Sequence, residues 1–111
     1  MSPKPAPTVD QLLRTAIEHS RLLRLRYRHK PRIVEPHDYG KHNGSIKLLA
    51  YQVGGYSSRP LPGWRWMMTA LISDVDLLEE TFPGGRPTPS EKHHEWDELF
   101  IRVQPADKER K

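Results

Sequence analysis

Apolar residues recur at Val9, Leu12, Leu13, Ala16 and Ile17, the i, i+3, i+4, i+7, i+8 spacing of one helical face. Asp10, Arg14 and Glu18 fall on the opposite side. Thr8 supplies an N-cap, Gln11 the capping-box partner, and Pro7 a staple against Leu12, so a helix is expected from Thr8 to His19 or Ser20. The period then shortens to two. Leu23, Leu25 and Tyr27 point one way from an extended strand, and Arg24, Arg26 and Arg28 point the other. Lys30-Pro31 predicts a turn, and Arg32-Ile33-Val34-Glu35-Pro36 a short extended segment that Pro36 limits or places at an edge.

Asp38 to Gly44 reads as a loop whose Asn43-Gly44 is a hairpin turn signal. Ser45 to Val53 is a strand with apolar residues on both faces, which places it centrally. A loop follows from Gly54-Gly55 to Gly63. Trp64 to Thr69 is the next strand, with Trp64, Trp66 and Met68 on one face, and Leu71 to Leu78 continues extended. In the last segment, Leu99, Ile101 and Val103 alternate like a strand, while Trp96, Leu99, Phe100 and Val103 fit helical spacing. The expected fold is mainly β with one N-terminal helix, a small five-stranded antiparallel barrel or strongly curved sheet. It occupies residues 8–82, between a disordered proline-rich arm at 1–7 and a flexible connector and C-terminal segment at 83–111.

Composition narrows the function classes. The 111 residues suffice for one core, and the 35% apolar content with 11 prolines keeps that core small. Without cysteine there is no disulfide, thiolate nucleophile or cysteine-ligated zinc. No apolar run approaches the ~18 residues that cross a bilayer, and the leader MSPKPAPT has no hydrophobic stretch. No membrane association and a cytoplasmic location are expected. The net charge of +4 is uneven: 12 Lys/Arg face 4 Asp/Glu up to Trp66, against 6 and 10 beyond it. The arginine face of residues 21–32 is either a solvated edge that prevents aggregation or a surface for an anionic partner.

Of the six histidines, His29, His37 and His42 lie in or beside turns and His93-His94 are side by side; no H-x-x-x-H spacing occurs, so no metal site is expected. Asp74 and Asp76 share a strand face, an arrangement compatible with acid–base work and with plain solvation. Gly54-Gly55 and Gly84-Gly85 lack the strand–glycine–helix context of a phosphate loop. No nucleophile signature is present, and neither a cofactor nor an enzyme activity is expected. Tyr27, Tyr39, Tyr51, Trp64 and Trp66 lie in the arginine-rich half. That mixture suits bases stacking on rings while guanidinium groups hold phosphates; alternatively, each tryptophan belongs to the core.

Several segments together resemble the WYL-domain family, ligand-sensing modules of bacterial regulators. Arg32-Ile33-Val34-Glu35-Pro36 looks like its R-x-V-x-P segment, and Leu49-Ala50-Tyr51 like the end of its W-Y-L-x-A-Y strand. Trp64-Arg65-Trp66-Met67 looks like the start of its R-x-F-R strand, and Ile72-Ser73-Asp74-Val75 like the tail of its D-R-I-x-x-V motif. The resemblance runs from about Val9 to Phe82 and implies an Sm-like small β-barrel with a leading helix. The chain departs from the pattern at Ile46-Lys47-Leu48, where the naming tripeptide stands. It departs again at Met68, in place of a second arginine, and at Ala70-Leu71, in place of Asp-Arg. Only about 20 residues precede the first strand, room for one helix, so the resemblance implies a sensor without the usual helix-turn-helix reader.

The resulting expectation is a non-enzymatic ligand-sensing or regulatory domain for a nucleotide or short single-stranded nucleic acid. Arg32 and Arg65 would hold charge, Tyr51 would stack or hydrogen-bond, and Arg24, Arg26 and Arg28 would supply the attracting field. The alternative is a protein-interaction or homodimerisation module that uses a strand edge or the apolar C-terminal segment.

Overall fold

The computed structural model describes residues 7–87 and 96–106. Residues 1–6 of the arm expected to be disordered, and residues 88–95, with His93-His94, and 107–111 of the expected connector and C-terminal segment, lie outside the described residues. One helix, α1 (Val9–His19), precedes β1 (Arg21–Tyr27), β2 (Lys30–His42), β3 (Ser45–Gly55) and β4 (Gly63–Met68). A single 3-10 turn (Thr69–Leu71) leads to β5 (Ile72–Thr81), and β6 (Glu98–Arg102) closes the order. The helix starts as its sequence requires. The Thr8 hydroxyl accepts from the Gln11 amide at 3.1 Å, and the Gln11 side chain accepts from the Thr8 amide at 2.8 Å. It stops at Ser20, whose left-handed backbone (φ 52°) lets its N–H reach back to Ala16 and Ile17.

The antiparallel sheet runs β4-β3-β2-β1-β5, with β6 on the second half of β2. Laid flat, β4 and β5 would stand four strand spacings apart, about 19 Å. Three residues join them, and a 3-10 turn advances only about 2 Å per residue. The sheet therefore curls until its two ends meet at that turn. No β4–β5 ladder closes it among the described residues. The sheet is open and six-stranded, which corrects the expected closed five-stranded barrel. The sixth strand settles the ambiguity of the C-terminal segment: Glu98–Arg102 is extended because β1 covers only residues 30–34 of β2, leaving 38–41 free to pair.

Three local expectations also change. β1 ends at Tyr27, not Arg28, because Arg28 and His29 (φ 53° and 68°) form the two-residue turn into β2. Residues 30–42 form one strand through Pro31 and Pro36, and the expected loop begins only at Asn43-Gly44. Pro36 is tolerated because it sits beside a register shift where β2 changes partner from β1 to β6. Trp64 and Trp66 do share a face with Met68, but not the core face. Met67 is fully buried beside Leu48, and the two tryptophans pack outside the sheet against His37 and His42.

Inside the curl lie Leu23, Leu25, Val34, Leu48, Ala50 and Met67, capped by Leu13, Ala16 and Ile17 of α1. The helix is also pinned by Tyr39, whose hydroxyl donates to Asp10 at 2.6 Å. That bond is the main reason the Asp10 carboxyl sits below its ordinary value, and burial with the same bond pushes the Tyr39 phenol up. A carboxyl held lower in the folded chain than in the unfolded one stabilises above about pH 4, and this contribution fades as pH falls through the folded value. Tyr39→Phe is expected to lose about 1 kcal/mol at neutral pH. Urea denaturation should show this deficit shrinking towards pH 3; a deficit of equal size at both pH values would assign the loss to packing.

Candidate anion-binding site

At the end of the curl where β1 turns into β2, the inner face stops being apolar. Its last side chains are Tyr27 on β1, Arg32 on β2, Gln52 on β3 and Arg65 on β4, brought together by the pairings Leu25↔Arg32, Val34↔Gln52 and Ala50↔Arg65. Tyr27, Arg32 and Arg65 line one cleft of about 200 Å³ with Arg28 from the hairpin turn and Ser57 and Arg59 from the 56–62 loop. The lining holds four arginines and no carboxylate.

Arg65 is the deepest of them, with 6% of its surface exposed. All its hydrogen bonds go to uncharged oxygens: the Trp64 carbonyl at 2.9 Å, the Ser57 hydroxyl at 2.8 Å and the Pro60 carbonyl at 3.3 Å. Burial first, then the charges of Arg59 and Arg32, pull its guanidinium below its ordinary value. Gly63 packs against this guanidinium, and a β-carbon there would stand 2.8 Å from an Arg65 Nη1, so the arginine's end would have to shift. Arg32 donates one Nη1 bond to Gln52 at 3.2 Å, and its buried Nε has no partner. Gln52, fully buried, holds the loop by donating to the Gly54 and Tyr56 carbonyls at 2.9 and 2.8 Å. Among the described residues none of these four arginines forms an ion pair, whereas Arg14, Arg24, Arg26, Arg86 and Arg102 all do.

Buried cations in proteins are ordinarily paired, because desolvating one costs several kcal/mol. Here two guanidinium groups are held near one another by neutral acceptors only. The arrangement presents forked N–H donors to an anion and leaves one of them, Arg32 Nε, unsatisfied. Aromatic rings extend the cleft outward. The Arg32 guanidinium lies 5.4 Å from the Tyr27 ring centre and 5.7 Å from that of Tyr56; Arg28 and Lys30 cover the two rings at 5.7 and 4.8 Å.

The six residues named from the sequence thus separate into two sets. Arg32, Arg65 and Arg28 line the cleft. Tyr51 lies on the opposite face of β3, its ring 5.2 Å from Trp64 and covered by Arg86 at 4.3 Å. Arg24 and Arg26 point outward from β1 to Asp76 at 2.9 Å and Asp74 at 3.4 Å. Those pairs account for both carboxylates and neutralise much of the expected arginine field. Tyr27 was among the aromatic residues read as suited to stacking, whereas Ser57 and Arg59 were not singled out. The signal for Arg59 was its place in a loop bounded by Gly54-Gly55 and Gly63, where binding residues concentrate; Ser57 needed the Arg65 contact to be seen.

A second polar cluster lies outside the sheet and is internally satisfied. Glu35 and Asp38, each with a 7% exposed side chain, take bidentate bonds from Arg86 (2.6 and 3.0 Å) and Arg102 (3.0 and 3.1 Å). Buried His37 contacts the Glu35 carbonyl through Nδ1 at 2.9 Å and accepts the Arg86 amide on Nε2 at 3.1 Å. Burial holds the His37 imidazole below its ordinary value. The described residues contain no group of three metal-ligating side chains and no helix long and apolar enough to cross a membrane. Comparison with protein-family models, curated proteins and solved structures finds no match to this chain.

Proposed function

We propose that this chain is a non-enzymatic sensing or regulatory domain that binds an anionic ligand, a nucleotide or short single-stranded nucleic acid, in the Arg32–Arg65 cleft. The observation that carries the reading is Arg65: a buried guanidinium bonded only to neutral oxygens, beside a second arginine with an unpartnered buried Nε. Such a site is relieved by an incoming anion more than by any rearrangement of its own side chains. The Tyr27 and Tyr56 rings at its rim favour a ligand with a stackable base over a bare inorganic ion.

A likeness to the WYL-domain family fits the same reading. A leading helix and five strands curled until β4 and β5 meet across a 3-10 turn support an Sm-like arrangement. Arg32 and Arg65, the arginines placed on the family's motifs, both reach the cleft. A cytoplasmic role goes with this proposal. The interaction-module alternative is weakened by β6, which spends its Phe100 and Ile101 on the chain's own core.

A fluorescence titration with a nucleotide panel and short single-stranded DNA and RNA, at about 50 and 200 mM salt, tests the reading. Saturable binding is expected, at least ~7-fold weaker at the higher salt for a single strand engaging two or more phosphates, and abolished in Arg32→Ala. Binding that survives this substitution would place the ligand elsewhere; no binding at low salt would remove the proposal.

A further inference from the structure

We infer that the cleft selects a terminal phosphate, the phosphomonoester end of a single strand, with the adjoining base stacked on Tyr56. The inference rests on the anion-binding reading above and names the part of the ligand that enters.

Three observations point to an end rather than to the middle of a strand. The cleft is about 200 Å³, a size that suits a phosphoryl group and part of a sugar. Arg65, the most buried arginine of the lining, is roofed by the Ser57–Pro60 loop through the Ser57 hydroxyl and the Pro60 carbonyl. An internal phosphodiester carries a substituent on both sides and has to clear that roof twice; a terminal group has to clear it once. Charge agrees with shape. Four arginines without a carboxylate match a monoester, which carries close to two negative charges at neutral pH and offers three oxygens, better than a diester with one charge.

From the rim into the cleft the side chains alternate between cation and ring: Lys30, Tyr56, Arg32, Tyr27, Arg28, with successive cation-to-ring distances of 4.8, 5.7, 5.4 and 5.7 Å. Arg32 therefore faces an aromatic ring on each side while its Nε stays unpartnered. Tyr56, 46% exposed, is the one ring of this series open enough to receive a base, by displacement of the Lys30 ammonium. A phosphate on Arg32 and Arg65 and a base on Tyr56 is a connected ligand, one nucleotide long, with the rest of the strand leading into solvent.

The test compares single-stranded decamers of one sequence, as DNA and RNA, ending in a 5′-phosphate, a 3′-phosphate, hydroxyls only, or a methyl-esterified phosphate, by anisotropy with the 111-residue chain. One phosphorylated end is expected to bind at least 10-fold tighter than the hydroxyl form, with the methyl ester falling close to the hydroxyl. Arg59→Ala, in the exposed loop, and Arg65→Lys are expected to erase the preference, and melting curves identify any variant that fails to fold. Tyr56→Ala is expected to weaken phosphate-ended strands about 10-fold while sparing inorganic phosphate competition. Equal binding of all four ends, still lost in Arg32→Ala, would overturn end selection and leave the anion cleft standing. Absence of binding by every strand and by inorganic phosphate would overturn both.

Discussion

Arg65→Met is expected to fold with a stability within about 1 kcal/mol of the parent chain while losing at least ~10-fold in affinity for a phosphate-bearing ligand. The two parts have separate origins. In the unliganded chain the buried guanidinium stabilises through three bonds to neutral oxygens and destabilises through its own desolvation and the nearby Arg59 and Arg32 charges. Both contributions amount to a few kcal/mol and they oppose one another. Methionine is close in length, unbranched and apolar, and it removes both together. Ser58, Arg59 and Pro60 are exposed, so water can satisfy the Pro60 oxygen left behind. In the complex no such cancellation exists, because a charged donor to a phosphate is lost outright. Urea denaturation and calorimetric titration on the same sample decide the matter. A marked fall in stability with unchanged affinity would make Arg65 a tether of the 56–62 loop and not a ligand contact.

Ending the chain at Pro87 is expected to abolish cooperative folding. The missing β6 pairs with Asp38–Lys41 of β2, and the residue after it, Val103, is 5% exposed in the core. Arg102 makes the bidentate pair with Asp38, whose side chain is 7% exposed. The Arg102 side chain is itself 41% exposed, so stranding Asp38 costs less than the ~3–5 kcal/mol of a fully buried pair. Losing buried Val103 costs about 1.5–3 kcal/mol, and the half-buried Phe100 and Ile101 and the β6 ladder are lost with it. Together these approach the ~5–15 kcal/mol that holds a whole domain. Gly40→Val asks the same question without shortening the chain. A side chain at Gly40 would run into the Glu98 carbonyl and stand 2.9 Å from the Leu99 Cα, so β6 would have to leave. Circular dichroism and urea denaturation of both variants should show the same deficit. A truncated chain that stays folded and monomeric would instead assign the segment to a partner.

Local patterning carried the elements whose partners lie nearby in sequence. The α1 stripe, its Thr8–Gln11 capping box and the Asn43-Gly44 turn all formed as read, because each depends on residues within one or two turns of chain. The face of β1 was legible too: Leu23 and Leu25 are buried and Arg24 and Arg26 exposed, as strict alternation requires. The failures share one cause. Pro36 reads as a strand end because proline lacks a donor, yet it lies inside β2 where the strand exchanges β1 for β6. Trp64 and Trp66 read as core by their size, but register with β3 turns Arg65 and Met67 inward instead.

Alternation alone settled which β1 residues are greasy and which are charged, and the cleft's arginines were visible as members of a basic N-terminal half. Which of those arginines stay unneutralised was decided only in three dimensions. The bulged pairing of β1 with β5 sets Asp76 and Asp74 against Arg24 and Arg26, while the curl of the sheet draws Arg32, Arg65 and the Arg59 loop together without a carboxylate. Helical and strand periods are short-range properties written into consecutive residues. A counter-ion is a neighbour in space, and here the partners are about fifty residues apart in the chain, beyond the reach of any local pattern.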